Sequence, residues 1–211
     1  LFGVSYEELL ARGKTPERQI GKTGVLGCGF GAGPDAIDRV AKRDRIDLAR
    51  AGVTSTALVE TWRRQHPRVA GREVGRTFVD AACRTRHARR GGYWKAVERA
   101  ARDAVADPSF SHLAGAEGRA VAWWAHGPDL YCTLPSGREL RYRNAGVAAD
   151  PLTGRDSLQY VDARRGMLRT YGGRLVENVV QAVARDVIAH ALPLLEAAGL
   201  PVVLHVHDEV V

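Results

Sequence analysis

A chain of 211 residues has room for one large or two small domains, and its hydrophobic share of 45% is that of an ordinary globular protein. No apolar run is long enough to span a bilayer and no basic start leads into an apolar stretch, which argues against a membrane protein and against a signal peptide. The net charge of +7 favours polyanions, although the Arg and Ala bias behind it also follows from a GC-rich genome. Cys28, Cys83 and Cys132 are odd in number and widely spaced, so neither a disulfide framework nor a zinc site is expected and a reducing compartment fits best. Cys83 and His87 would share one face of a helix, but two ligands do not make a zinc site. The chain does not begin with Met and ends in an apolar β-type run, so both termini are expected to be cuts.

Residues 6 to 11 read as a short helix with Ser5 as cap and Glu7 and Glu8 in its first turn. Pro16 and Glu17 suit the first turn of a second helix. Glycines at 21, 24, 27, 29, 31 and 33 then argue against helix by propensity. A helix is expected over 36 to 51. Another is expected over 53 to 65, capped by Thr54 or Ser55 and stopped by Pro67. Residues 72 to 90 are basic and poorly patterned. Tyr93 to Val105 is expected to be a helix with Trp94, Val97 and Ala101 on one face. The period then changes: 130 to 134, the turn Pro135-Ser136-Gly137 and 138 to 142 predict a β-hairpin. A loop is expected over 145 to 157 and a strand over 159 to 163. Leu175 to Ala198 has helical spacing and Gly199 to end it. A strand over 201 to 206, the turn His207-Asp208 and a strand from Glu209 complete an α+β pattern.

Two constellations carry chemistry. Arg18, Lys22, Leu26 and Phe30 are spaced by four, so on a helix each sits about 40° from the last and all four share one face. Two cations, an apolar residue and a ring in a row suit a nucleoside triphosphate: phosphates on Arg18 and Lys22, sugar on Leu26, base on Phe30. The glycines would let an outside surface such as a base pair approach closely. The alternative is a glycine-rich loop with solvated Arg and Lys. Gly21-Lys22-Thr23 is not a P-loop, because Pro16 stands where the first glycine belongs. The second constellation, His207-Asp208-Glu209, puts two carboxylates at a strand turn. Such a pair can hold Mg²⁺, and two-metal phosphoryl transfer uses carboxylates to clamp ions roughly 3.5–4 Å apart. An ordinary polar turn is the alternative.

These residues, in this order, resemble the family A DNA polymerases. Arg18-x-x-x-Lys22 followed by Phe30-Gly31 is similar to motif B of the fingers. Val206-His207-Asp208-Glu209 is similar to motif C of the palm, and Gln181-x-x-Ala184-x-Asp186 to the helix before it. Thr170-Tyr171-Gly172-Gly173-Arg174-Leu175-Val176-Glu177-Asn178 and Leu134-Pro135-Ser136-Gly137-Arg138 are similar to stretches of phage-type members. The matches cover nearly the whole chain. The resemblance implies a partial right hand: helical fingers over 1–125 including motif B, and part of an antiparallel-sheet palm over 126–211 including motif C. It implies that Arg18 and Lys22 bind the incoming dNTP and that Gln181 contacts the minor groove of a DNA primer–template. His207 would lie near the primer terminus, with Asp208 binding catalytic Mg²⁺ and Glu209 supporting it. Phe30 stands where the family has Tyr, and Leu26 where an aromatic often helps choose between sugars.

The implied activity is template-directed DNA synthesis in the cytoplasm of a bacterial or phage-infected cell. Nothing like the motif A segment, with its second metal-binding Asp, precedes Arg18, so the isolated chain is expected to be inactive. Residues 72 to 90 exceed the family's usual connection. A non-catalytic DNA-binding derivative is the alternative, and a nucleotide hydrolase built on Gly21-Lys22-Thr23 is a weaker one. The sequence names no processivity factor.

Overall fold

The computed structural model describes residues 5–13, 15–71, 74–79, 85–90, 92–115, 120–151, 154–207 and 209–210. They form an α+β chain of two compact units, residues 1–99 with 171–176 and residues 100–170 with 177–211. No described helix is long and apolar enough to cross a membrane.

The first unit is mostly helical. It contains α1 (Tyr6–Ala11), α2 (Pro16–Gly29), α3 (Pro34–Arg43), α4 (Ser55–Gln65) and α5 (Pro67–Ala70). A ribbon of β1 (Val74–Val79) and β2 (Thr85–Arg90) follows, then the start of α6 (Tyr93–Ala106). Short-range chemistry sets the boundaries. Ser5 and Glu8 form a capping box, each backbone amide bonding the other's side chain. The hydroxyls of Thr15 and Thr54 accept from the amides of Arg18 and Ala57, and Pro16 opens α2. Ile20, Cys28, Ile37, Ala41, Leu58 and Val59 then form a buried core shared by α2, α3 and α4. Trp62 of α4 stacks on His66 at 4.3 Å and on Trp94 of α6 at 5.7 Å.

α2 is helical despite its glycines, and packing explains why. A Cβ on Gly24 would lie 2.9 Å from Leu58 Cδ1, and one on Gly27 would lie 2.6 Å from Ile37 Cδ1. These two glycines make room for the protein's own helices, not for an outside surface. A helical glycine costs about 1 kcal/mol relative to Ala. Full burial of side chains such as Ile20 and Ile37 stabilises by about 1.5–3 kcal/mol each, so propensity loses to packing.

The helix expected over 36 to 51 is shorter, because α3 ends at Arg43. Ile46 and Arg45 donate to the carbonyls of Ala41 and Lys42, and Arg45 takes φ +56°. This is the Schellman ending that glycine usually marks, here formed by an arginine. The stretch from 72 to 90 holds the β1–β2 ribbon, so His87 lies on a strand, not a helix. Cys83 lies outside the described residues. Cys28 and Cys132 are buried free thiols, and burial pushes Cys132 up to about 12.

The second unit is built on a six-stranded antiparallel meander: β3 (His112–Ala114), β4 (Val121–His126), β5 (Asp129–Thr133), β6 (Glu139–Ala149), β7 (Asp156–Asp162) and β8 (Gly166–Thr170), in chain order. Trp123, Leu130, Cys132 and Leu158 are fully buried in it. Trp124 stacks on its cross-strand partner Tyr131 at 4.5 Å. The expected 130–142 hairpin is present. The loop expected over 145 to 157 is mostly strand, because Gly146 to Ala149 pair with β7 beyond a bulge. The segment Ala145-Gly146-Val147-Ala148-Ala149 has poor β propensity, which pairing overrides. α7 (Gly172–Ala197) contributes its first residues to the first unit and the remainder to the second. It ends as expected, with Gly199 at φ +78° and the Leu200 amide on the Leu195 carbonyl. Of the strand expected over 201 to 206, only β9 (His205–Val206) is regular; it pairs with β10 (Glu209–Val210).

Candidate functional site

In the first unit, α2 presents Arg18, Lys22 and Leu26 on its exposed side, and Phe30 caps its C-terminus. Apolar side chains are left in solvent here: Leu26 at 50% and Phe30 at 38% exposure, with Val25 next to Leu26 at 61%. Ile20, Thr23, Gly24 and Cys28 take the opposite, buried side. Arg18 lies with its guanidinium 3.5 Å from the Gly13 carbonyl. Lys22 has no ion pair among the described residues. One face therefore offers two cations followed by apolar surface, along a helix whose positive dipole end lies on the Arg18 side.

The end of α2 is held in place. Gly31 at φ +81° turns the chain, with Gly31 and Ala32 donating to the carbonyls of Cys28 and Gly27. Tyr171 then closes over the turn: its hydroxyl donates to the Phe30 carbonyl at 3.3 Å. A Cβ on Gly31 would meet the Tyr171 ring at 3.0 Å and Gly173 Cα at 3.3 Å. Gly172 packs so closely on the Trp94 carbonyl that no side chain fits there. The segment Tyr171-Gly172-Gly173 is thus a clamp on Phe30-Gly31. No local sequence signal links the two segments, because 141 positions separate Phe30 from Tyr171.

In the second unit, Gln181 and His207 line one cavity of about 490 Å³, together with Arg185, Ile188, Leu192 and His205. Gln181 bonds Glu177 one turn earlier at 3.2 Å. His207 is at φ +56°. It opens the two-residue connection between Val206 and Glu209, where the favoured hairpin turns require positive φ. For a non-glycine residue that conformation costs about 1–2 kcal/mol, and such strain clusters at functional sites.

α7 is tied to the turn between β5 and β6. The Ser136 hydroxyl and the Arg138 Nε each donate to the Asp186 carboxylate at 2.6 Å, and Arg138 also donates to the Ala182 carbonyl at 2.9 Å. Ser136 first, and then Arg138, holds the Asp186 carboxyl below its ordinary value. In sequence Asp186 has no signal beyond the Gln181-x-x-Ala184-x-Asp186 resemblance; in the fold it locks the helix carrying Gln181 to the hairpin. Asn178 adds a bond to the Tyr142 hydroxyl at 3.2 Å.

Glu209 is exposed at the start of β10. Asp208, the expected metal ligand, lies outside the described residues. No group of three or more His, Cys, Asp or Glu side chains that could hold a metal occurs among the described residues. Glu209 is the right kind of donor for Mg²⁺, a hard cation that takes oxygen, but the described residues do not by themselves build a centre.

The DNA polymerase of Bacillus phage SP02 is 31% identical to this chain over 201 residues, covering 93% of the chain and 27% of the relative. The chain therefore spans about a quarter of the length of the curated relative it matches. No family model matches the chain. No solved structure matches it either.

Proposed function

We propose that this chain is the part of a DNA polymerase, of family A and phage type, that carries motif B on α2 and motif C at the β9–β10 turn. The observation that carries the reading is the α2 face, where Arg18, Lys22, Leu26 and Phe30 stand exposed in a row on a helix clamped at its far end. The likeness to a phage DNA polymerase over 93% of the chain supports it.

In this reading Arg18 and Lys22 hold the phosphates of an incoming dNTP, while Leu26 and Phe30 take its sugar and base. The 3′-hydroxyl of a DNA primer gives up its proton to solvent water as its oxygen attacks the α-phosphorus, the bond to the bridging oxygen breaks, and pyrophosphate leaves. Little covalent work falls to the protein, so its contribution is positioning and charge stabilisation. Gln181 and His207 bind the primer–template on the groove beside α7. Asp208 is assigned to a magnesium ion and Glu209 to its support. When bound, that ion would supply charge stabilisation at the phosphate.

The test is steady-state synthesis by the full-length protein. Arg18→Ala and Lys22→Ala are each expected to lower kcat/KM for dNTP by ~100-fold, the cost typical of losing one charge-stabilising donor, with DNA affinity nearly unchanged. Equal losses in nucleotide use and DNA binding would reduce this face to a general phosphate contact. Asp208→Ala is expected to abolish synthesis and leave DNA binding; retained synthesis would sink the assignment.

A further inference from the structure

The α2 face ends at Phe30, and the position of Phe30 is set from outside α2. The Phe30 carbonyl accepts from the Tyr171 hydroxyl at 3.3 Å. The Gly31 and Ala32 amides that follow are bonded back to the carbonyls of Cys28 and Gly27. Beside the hydroxyl, two glycine backbones approach each other. A Cβ on Gly173 would lie 2.9 Å from the Phe30 carbonyl oxygen, 3.0 Å from Tyr171 Cε2 and 3.1 Å from Gly31 Cα. A side chain on either glycine would push the ring or the opposite backbone away.

Tyr171 is itself held by α6. Gly172 packs against the Trp94 carbonyl, and its amide donates to the Glu98 carboxylate at 3.4 Å. Glu98 is also paired with Lys95 at 3.1 Å. Trp94 in turn stacks on Trp62 of α4. The hydroxyl therefore acts from a fixed base. Its bond is not needed for solvation: Tyr171 is 45% exposed, so water would serve the hydroxyl equally well. What the bond adds is geometry. It fixes the peptide between Phe30 and Gly31, and with it a ring that is exposed and has no polar atom of its own by which to be held.

We propose that Tyr171 is a positioning residue for the incoming nucleotide: its hydroxyl holds the Phe30–Gly31 peptide so that the Phe30 ring is already in place when the base of a dNTP arrives. The proposal rests on the reading of α2 as the nucleotide face. Preorganisation of this kind acts on affinity, because a group that must be ordered on binding subtracts from the free energy of binding. The phosphates are assigned to Arg18 and Lys22, further back along the helix, so the chemical step is left alone. The bond holds backbone and reads no base edge, so all four dNTPs are affected alike.

The test uses the full-length protein as wild type, as Tyr171→Phe, which deletes the hydroxyl and keeps the ring, and as Tyr171→Leu, which removes both. KM for each dNTP is measured with kcat and primer–template affinity, and amide hydrogen exchange at Gly31 and Ala32 is followed in the free proteins. Tyr171→Phe is expected to raise KM for all four dNTPs by about fivefold, the worth of one ordinary hydrogen bond, with kcat and DNA affinity unchanged. Exchange at Gly31 and Ala32 should quicken while exchange in α3 and α4 stays as in wild type. Tyr171→Leu should raise KM further. An unmoved KM in Tyr171→Phe overturns the proposal even where exchange quickens, since the tie then serves the fold alone. A fall in kcat without a rise in KM overturns it as well. A higher KM without faster exchange also overturns it, because the hydroxyl then acts on the nucleotide and not through Phe30. Wild type that makes no DNA sinks the polymerase reading, and calorimetric titration with a dNTP then decides: a Kd about fivefold weaker in Tyr171→Phe keeps the positioning role, and an equal Kd ends it. Wild type that binds no dNTP overturns both.

Discussion

α2 and the β9–β10 turn are the two places where the proposed chemistry concentrates, and they are built in opposite ways. α2 is braced on every side but one: capped by Thr15, packed by α3 and α4 through Gly24 and Gly27, and clamped at Phe30-Gly31 by Tyr171. The β9–β10 turn is four paired residues, all exposed, with a strained His207 between the strands. The difference teaches that the face of α2 is preformed by its own unit. The described residues around His207 supply strain and a groove but little burial. Substitutions that probe stability should therefore act strongly along α2 and weakly at the turn.

The largest effect is expected at Gly31. Gly31→Ala must bear a left-handed backbone, about 1–2 kcal/mol, and also push the Tyr171 ring and Gly173 aside. Chemical denaturation should show a total loss of about 2–3 kcal/mol; a loss below the left-handed cost alone would mean that Tyr171 does not clamp the turn.

Next come two glycines of the same helix with opposite surroundings. Gly27→Ala gains helix propensity but drives a methyl into fully buried Ile37, so a net loss of about 1–2 kcal/mol is expected. A methyl on Gly21 would have no neighbour within 4 Å, so Gly21→Ala should stabilise by about 0.5–1 kcal/mol. If both substitutions shift Tm in the same direction, packing is not what makes α2 tolerate glycine.

The groove beside the turn depends on charge as well as packing. Because Ser136 and Arg138 lower the Asp186 carboxyl from its ordinary 3.8, the tie stabilises the fold above that pH. The contribution fades as pH falls through the lowered value. Melting curves taken from neutral pH down through the aspartate range should show a shallower acid decline for Asp186→Asn than for wild type. Parallel declines would remove Asp186 as a source of acid sensitivity.

The smallest effect is expected at His207. Glycine relieves the left-handed strain but adds unfolded-state freedom, so His207→Gly should change stability by under ~1 kcal/mol. Weakened primer–template binding with an unmoved Tm is the expected pairing; a large Tm shift would mean the turn is braced after all.

Much of this was legible in sequence where the determinant is local. The four-residue spacing puts Arg18, Lys22, Leu26 and Phe30 on a face, and helix ends are marked by the Thr54 hydroxyl, the Pro16 ring and the freedom of Gly199 to take positive φ. Legibility failed where the determinant is distant or of an unusual residue type. Arg45 ends α3 in a conformation that sequence associates with glycine. Residues 146–149 become strand only because β7 pairs with them. Asp186 and Tyr171 act through partners 50 and 141 positions away. Gly24 and Gly27 pointed to close approach, but the approaching surface is internal.

The termination of α2 has a consequence for electric polarity. A helix carries partial positive charge at its start and partial negative charge at its end, the latter residing on unpaired carbonyls. Here the carbonyls of Leu26, Gly27, Cys28 and Phe30 all accept hydrogen bonds from the turn or from Tyr171, which mutes the negative pole. The positive pole keeps Arg18 and Lys22 beside it. The exposed face is therefore a one-ended electrostatic ramp, and an elongated anion lying along it is oriented with its charge toward Arg18 and its neutral end over Phe30.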